Sequence, residues 1–372
     1  MPDVLRASTV VTSDGVLEPG EVVVDAGTVV AVRPVPDGAR ASVPDRILCP
    51  GFVDLQVNGM DDVDCAAARS DADWARIGDL LSSSGVTSWC PTLVTAPLDA
   101  YPARIARVRE AMARQLAPAT APTLVPSILG VHLEGPFLGG APGAHPREWL
   151  APIDLDWLRA LPLGDVVRVV TLSPELAGAT DAIALLASRG VLVSVGHSTA
   201  TYEQAGAAAD AGARLVTHLF NGMGPLHHRA PGLVGAALSD DRLAPSLIAD
   251  GVHVHPAALR AAARAKGSGG WVLVTDAVAW RSWRLAGREV TVRDGGPRLP
   301  DGTLAGSSLT MDAALRRMVH ECGIPLPDAV AAASTTPARL VGAADRGALA
   351  AGRRADVVTL SPDLDVIDVT IA

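Results

Sequence analysis

At 372 residues, 49% hydrophobic but only 3% aromatic, the chain can bury a large core of alanine-rich helices on valine-rich strands. A formal net charge of −9 excludes nucleic acid and an anionic membrane as main partners, although a local basic group can still hold a small anion. No apolar run reaches the roughly 18 residues of a bilayer span, and the start (MPDVLRASTV) lacks the basic, then apolar, pattern of a signal peptide. Four scattered cysteines, Cys49, Cys65, Cys90 and Cys322, form no C-x-x-C pair. They read as buried thiols of a cytoplasmic protein.

Residues 1–46 read as short β segments (10–11, 21–24 and 29–32) between Asp-Gly, Pro-Gly and Ala-Gly turns. From residue 47, apolar strands alternate with helical stretches. Strand one is 51–57, followed by a helix at 71–84 with Asp71 as its cap. Strand two is 86–94, before a long Ala/Arg helix at 98–116. Strand three is 128–133, ending in HLEGP; a helix at 154–160 leads to strand four, 166–172, ending in SPE. A helix at 181–189 feeds strand five, 191–195, ending in Gly196-His197-Ser198. An Ala-rich helix then leads to strand six, 214–216, ending in Thr217-His218. A Gly/Pro/His-rich loop (221–231) precedes the apolar 233–238. Strand seven, 246–249, ends in Asp250-Gly251-Val252-His253, and a helix spans 256–266 with Pro256 near its start. Strand eight, 271–274, ends in Thr275-Asp276.

Eight β/α units predict a (β/α)8 barrel in the α/β class, with an open doubly wound sheet as the alternative. Polar residues at the ends of strands 1, 3, 5, 6, 7 and 8 favour the barrel, because an open sheet gathers its ligand groups at one switch point. Beyond the barrel, 284–293 and 302–304 read as one hairpin, followed by helices at 311–322, 327–333 and 337–341. The tail (356–360 and 365–371) returns to β character. Both termini therefore build one small β domain, 1–46 with 346–372, around a barrel at 47–345.

Glu134, His197 and His218 end three different strands. Together they supply the three N/O ligands of a catalytic zinc-type site with an open position. His132, on the same strand face as Glu134, reads as packing beneath it. Asp276 suits a general base, and His253 a group that polarises a carbonyl. GHSTA at 196–200 approaches the G-x-S-x-G nucleophile elbow, but Ala stands for its last Gly, and that reading leaves Glu134 and His218 without roles.

VHLEGPF (131–137), VGHSTA (195–200), THLFNGM (217–223), APGLVG (230–235), ADGVHV (249–254), VTDA (274–277) and GTLAGSSLTM (302–311) resemble the N-acetylglucosamine-6-phosphate deacetylases of the amidohydrolase superfamily, in order and spacing, over nearly the whole chain. The resemblance implies a barrel with a small β-sandwich, usually as a dimer. It also implies one divalent metal per subunit on Glu134, His197 and His218: zinc first, with iron, manganese or cobalt as alternatives. Asp276 would be the catalytic acid/base and His253 would contact the acetyl carbonyl. Asn221 and Gly222 would bind the sugar phosphate through their backbone, and Arg229 would reach the phosphate of the neighbouring subunit. Ala144, His145, the Asp250-Gly251-Val252-His253 stretch and Leu304, Ala305 and Gly306 would complete the substrate site, His145 on a sugar hydroxyl.

Three departures stand out. Gln56-x-Asn58 replaces the superfamily's common His-x-His, and amides are poor zinc ligands, so the second metal site is expected to be missing or weak. Ala-Pro-Gly-Ala precedes His145 where the family often carries a Lys. The stretch 278–284 is short and Trp-rich. The expected reaction is deacetylation of N-acetylglucosamine 6-phosphate to glucosamine 6-phosphate and acetate. The alternatives are an amidohydrolase acting on another N-acyl amino sugar or a cyclic amide, and a non-catalytic barrel that binds sugar phosphate.

Overall fold

The structure, a computed structural model, describes residues 2–115 and 125–372. Its centre is a ring of parallel strands: Phe52–Val57, Val86–Val94, Val131–Glu134, Val167–Leu172, Leu192–Val195, Leu215–Val216, Ala244–Leu247 and Val272–Leu273. Each pairs with the next. The ring closes just past the last strand, where Asp276 N donates to Gln56 O (3.0 Å) and Asn58 N to Ala277 O (2.8 Å). This is the expected (β/α)8 barrel. Both faces of the strands are covered, so nearly every residue in them is buried, as along Val167–Leu172, where only Arg168 is partly exposed. A fully buried side chain such as Leu133 or Leu93 contributes roughly 1.5–3 kcal/mol.

The crossover between strands five and six is helix Tyr202–Ala211. Thr201 and Gln204 cap its start reciprocally, Gly212 ends it at φ 118°, and Ala205, Ala208 and Ala209 form its buried face. The two strands it joins pair directly, Val195 with Val216, which sets the strand ends carrying His197 and His218 side by side.

The terminal segments form two further sheets that pack into a small β-sandwich. One runs Val366–Thr370, Val357–Leu360, Ile47–Pro50, Thr9–Thr12, Gly15–Leu17; the other joins Asp3–Ala7, Gly20–Asp25 and Thr28–Pro34. They share an apolar core that includes Ala7, Val10, Val22, Leu48 and Val357. Strand Ile47–Pro50 extends the terminal sheet four residues beyond position 46.

Four local expectations need correction. The cap of helix Asp71–Ser82 is Ser70, paired with Asp73 in a capping box, rather than Asp71. Strand three is two pieces, Ser127–Ile128 and Val131–Glu134, because Gly130 at φ 135° breaks the run. The 98–116 stretch is a short 3-10 turn, Leu98–Ala100, and then helix Tyr101–Gln115; Leu116 lies outside the described residues. The single hairpin expected after strand eight is two, Arg284–Leu285 with Arg288–Glu289 and Thr291–Arg293 with Gly296–Arg298. Residues 302–304 pair only through a Leu304–Arg298 bridge. The apolar 233–238 stretch lies in helix Gly232–Ser239.

Candidate active site

One cavity of about 200 Å³ opens at the carboxyl ends of the strands. Glu134, the last residue of strand three, is 3% exposed; His197 and His218 follow strands five and six, and Asp276 follows strand eight. All four line this cavity. His197, His218 and Asp276 sit at φ 50°, 30° and 49°. Left-handed backbone at a non-glycine residue costs of order 1–3 kcal/mol and persists only where the surroundings hold it.

The three expected metal ligands converge. Glu134 Oε1 lies 3.1 Å from His197 Nε2 and 3.1 Å from His218 Nε2, and the two Nε2 atoms are 3.1 Å apart. No other trio of histidine, cysteine or acidic side chains is so gathered among the described residues. His197 Nδ1 donates to Ala141 O at 3.3 Å, which leaves the Nε2 lone pair facing the cluster. The donor set, two imidazole nitrogens and one carboxylate oxygen, fits a divalent ion with an open position. Burial opposes ionisation of Glu134, but the neighbouring His197 and His218 outweigh it and hold the carboxyl well below its ordinary range. Burial holds the His197 imidazole below its usual value, as a neutral ligand requires.

Asp276 Oδ1 accepts from Asn58 Nδ2 at 2.7 Å and from Gln56 Nε2 at 3.1 Å; the same Gln56 nitrogen donates to Glu134 Oε1 at 2.9 Å. The amides of Gln56 and Asn58 thus act as donors to Asp276, and Gln56 also to Glu134. Burial, and then the charge of Glu134, push the Asp276 carboxyl up to about 7. Such a group can take a proton and return it near neutral pH. Beneath it, Thr275 Oγ1 donates to Asp54 at 2.6 Å.

His253 lines the cavity, and its Nδ1 donates to Asp250 Oδ2 at 2.6 Å. That bond directs Nε2 away from Asp250. Asp250 is therefore a holder of His253 and not part of the cavity wall. His145 also lines the cavity. Its Nδ1 pairs with Thr95 Oγ1 at 2.7 Å, its Nε2 lies 4.0 Å from Glu134, and burial depresses it to about 3, leaving it neutral. Arg288 donates to the Ala144 carbonyl at 2.8 Å, bracing the loop before His145.

Ala144, Asn221, Gly222, Leu304, Ala305 and Gly306 line the cavity as expected, whereas Gly251, Val252 and Arg229 do not. Arg229 is exposed and bonds to His228 at 2.8 Å. Thr303, in the same GTLAGS stretch as Leu304, lines the cavity too; Val94, Ile248, Trp283 and Leu285 also form the wall, none of them anticipated, although the Trp-rich character of 278–284 hinted at Trp283. His132 packs below, between Leu55 O and Thr171 Oγ1. Ser198 is fully buried and donates to Glu175 at 2.5 Å. Its hydroxyl has no histidine partner, so the serine-nucleophile reading falls.

Residues 47–372 match the amidohydrolase family. The chain is 39% identical to an N-acetylgalactosamine-6-phosphate deacetylase of Escherichia coli O157:H7, covering all of this chain and 98% of that protein. It is 40% identical to an N-acetylglucosamine-6-phosphate deacetylase of Danio rerio, covering 90% of this chain and 85% of that one. A mutant N-acetyl-D-glucosamine-6-phosphate deacetylase from Mycobacterium smegmatis, solved in complex with N-acetyl-D-glucosamine-6-phosphate, superposes with a TM-score of 0.88 at 35% identity, covering 100% and 98% of the two chains. With the family matched along the whole barrel, the chain belongs to the amidohydrolases.

Proposed function

We infer that the protein is a hydrolase that removes the acetyl group of N-acetylglucosamine 6-phosphate, giving glucosamine 6-phosphate and acetate. The observation that carries this reading is the convergence of Glu134, His197, His218 and Asp276 on one cavity in a chain that aligns end to end with a deacetylase solved with that sugar phosphate. A divalent ion held by the three ligands would supply Lewis-acid chemistry, polarising a carbonyl and acidifying water. Asp276, held by Asn58 and Gln56, takes the proton of the attacking water. It then returns that proton to the departing nitrogen, which would otherwise leave as a poor anion. His253, held by Asp250, donates to the developing oxyanion. Zinc suits this donor set, with iron, manganese and cobalt as alternatives.

Asn221 and Gly222 lie on the cavity rim and serve the sugar phosphate through their backbone. Arg229, exposed beside the exposed Leu226, reaches the site of a second copy in a homodimer. Its fork can bind phosphate bidentately, as Lys cannot. Four free, buried cysteines suit a reducing cytoplasm, and no helix among the described residues is long and apolar enough to cross a membrane.

A second reading, the galactosamine epimer as substrate, is favoured by the Escherichia coli relative. Acetate release from both 6-phosphates and from unphosphorylated N-acetylglucosamine, before and after chelation, tests the assignment. The expected order is the glucosamine 6-phosphate derivative first and the unphosphorylated sugar last, with loss on chelation and rescue by a divalent ion. Faster turnover of the galactosamine epimer selects the second reading. Activity that survives chelation refutes the metal-dependent mechanism.

A further inference from the structure

The fourth strand ends in Ser173-Pro174-Glu175, a motif to which the reaction assigns no part. The Glu175 carboxylate collects three neutral donors from two loops: Gly140 N (3.1 Å) and Thr199 N (2.9 Å) on Oε1, and Ser198 Oγ (2.5 Å) on Oε2. Ser173 Oγ lies 2.9 Å from both Gly196 O and His197 O and accepts from Gly139 N at 2.7 Å. The two loops meet closely because one of them is glycine: a Cβ on Gly139 would collide with the Glu175 carboxylate, and one on Gly140 with the Thr199 side chain.

We propose that Glu175 is a positioning residue for the metal centre, tying the 139–140 loop to the strained turn that carries His197. Two features need fixing at once. His197 sits at φ 50°, so its ring direction depends on what holds the turn. The carbonyl that orients the ring, Ala141 O, lies on the other loop, one residue past Gly140. One carboxylate holds both, so the ring and its orienting acceptor move together. Second-shell partners of this kind set the tautomer and direction of a ligating imidazole. Ser198, beside His197, belongs to this brace: it donates to Glu175 and accepts from Ala200 N at 2.9 Å.

The inference rests on reading Glu134, His197 and His218 as the metal ligands. Zinc affinity of the whole protein, titrated against a chromophoric chelator, tests the two separately. Wild type that binds no zinc overturns both. With wild type binding, Glu175→Ala is expected to bind roughly 10- to 100-fold more weakly. Glu175→Gln should bind close to wild type, because its oxygen can still accept from Gly140 N and Thr199 N while its NH2 donates to Ser198. Melting of the metal-free proteins, recorded in parallel, separates a general brace from a metal-directed one: a lowered melting temperature with unchanged zinc affinity overturns the proposal. Should Glu175→Ala fail to fold, Ser198→Ala, which removes one of the three donors, takes its place. A smaller loss of affinity supports the proposal, and unchanged affinity overturns it.

Discussion

Asn58 Nδ2 lies 2.7 Å from Asp276 Oδ1, a bond between residues 218 positions apart that ends on the carboxylate at the cavity's centre. It stabilises the ionised carboxylate, whereas burial and the charge of Glu134 favour the protonated one. Removing the donor in Asn58→Leu therefore raises the carboxyl pKa. The acidic limb of the kcat/KM profile should move to higher pH, on the order of one unit. A pH profile across the neutral range checks this, and an unmoved limb argues against Asp276 as the group that titrates.

Asp276→Asn preserves size and both neighbouring amides but removes proton transfer. Turnover should fall by at least about 10²-fold while zinc content stays at the wild-type level. Metal analysis alongside steady-state rates decides the point, and near-normal turnover sinks the role given to Asp276.

Arg229→Ala should raise KM for the phosphorylated sugar well beyond its effect on the unphosphorylated one, with kcat little changed, because the contact is to a remote charge present in ground and transition state alike. An equal effect on both sugars would remove Arg229 from the phosphate site. Mixing this variant with a second one inactive through Asp276 should recover part of the phosphate-dependent activity if the arginine acts across subunits.

Asp54 is fully buried under Thr275, and burial raises its carboxyl from an ordinary 3.8 to about 7. The folded chain then binds a proton that the unfolded chain has released, so stability falls as pH rises from about 4 through about 7 and is level above that. Asp54→Asn removes this slope. Denaturation of the metal-free proteins at pH 5 and pH 8 should show the wild type losing more than the variant, by up to about 2.5 kcal/mol. Parallel losses in the two would contradict the raised value.

Zinc added to the metal-free wild type should raise its melting temperature, since a ligand of the folded state stabilises in proportion to RT ln(1 + [L]/Kd). Glu134→Gln, which removes the only carboxylate of the ligand trio, should abolish most of that rise. A rise that persists would place the ion elsewhere.

The barrel was legible because its strands are buried on both faces and read as apolar runs. Val86–Val94 and Pro256–Lys266 match their predicted bounds, each carrying a strong local signal. Local signals also explain the errors. Ser70 competes with Asp71 for the cap one residue away, and Gly130 divides a run that hydropathy alone joins. Glu134, His197 and His218 stood out as polar residues at strand ends. Gln56, Asn58, Asp54 and Glu175 were harder to place, since each acts through a partner distant in sequence that no local pattern reveals. A charged residue inside the apolar GFVDLQV run was the one clue to Asp54. Ala144, Asn221, Gly222 and Leu304, which line the cavity from loops, became visible only through resemblance, because a loop position leaves no mark in composition.

The seam of the ring carries a temporal consequence. The base is seated by hydrogen bonds between the first strand and the residues after the eighth, whereas the three ligands come from strands three, five and six. During synthesis Glu134, His197 and His218 have all been made by residue 218, whereas Asp276 follows only after the eighth strand. The cavity with its full lining therefore exists only once the last strand has docked against the first.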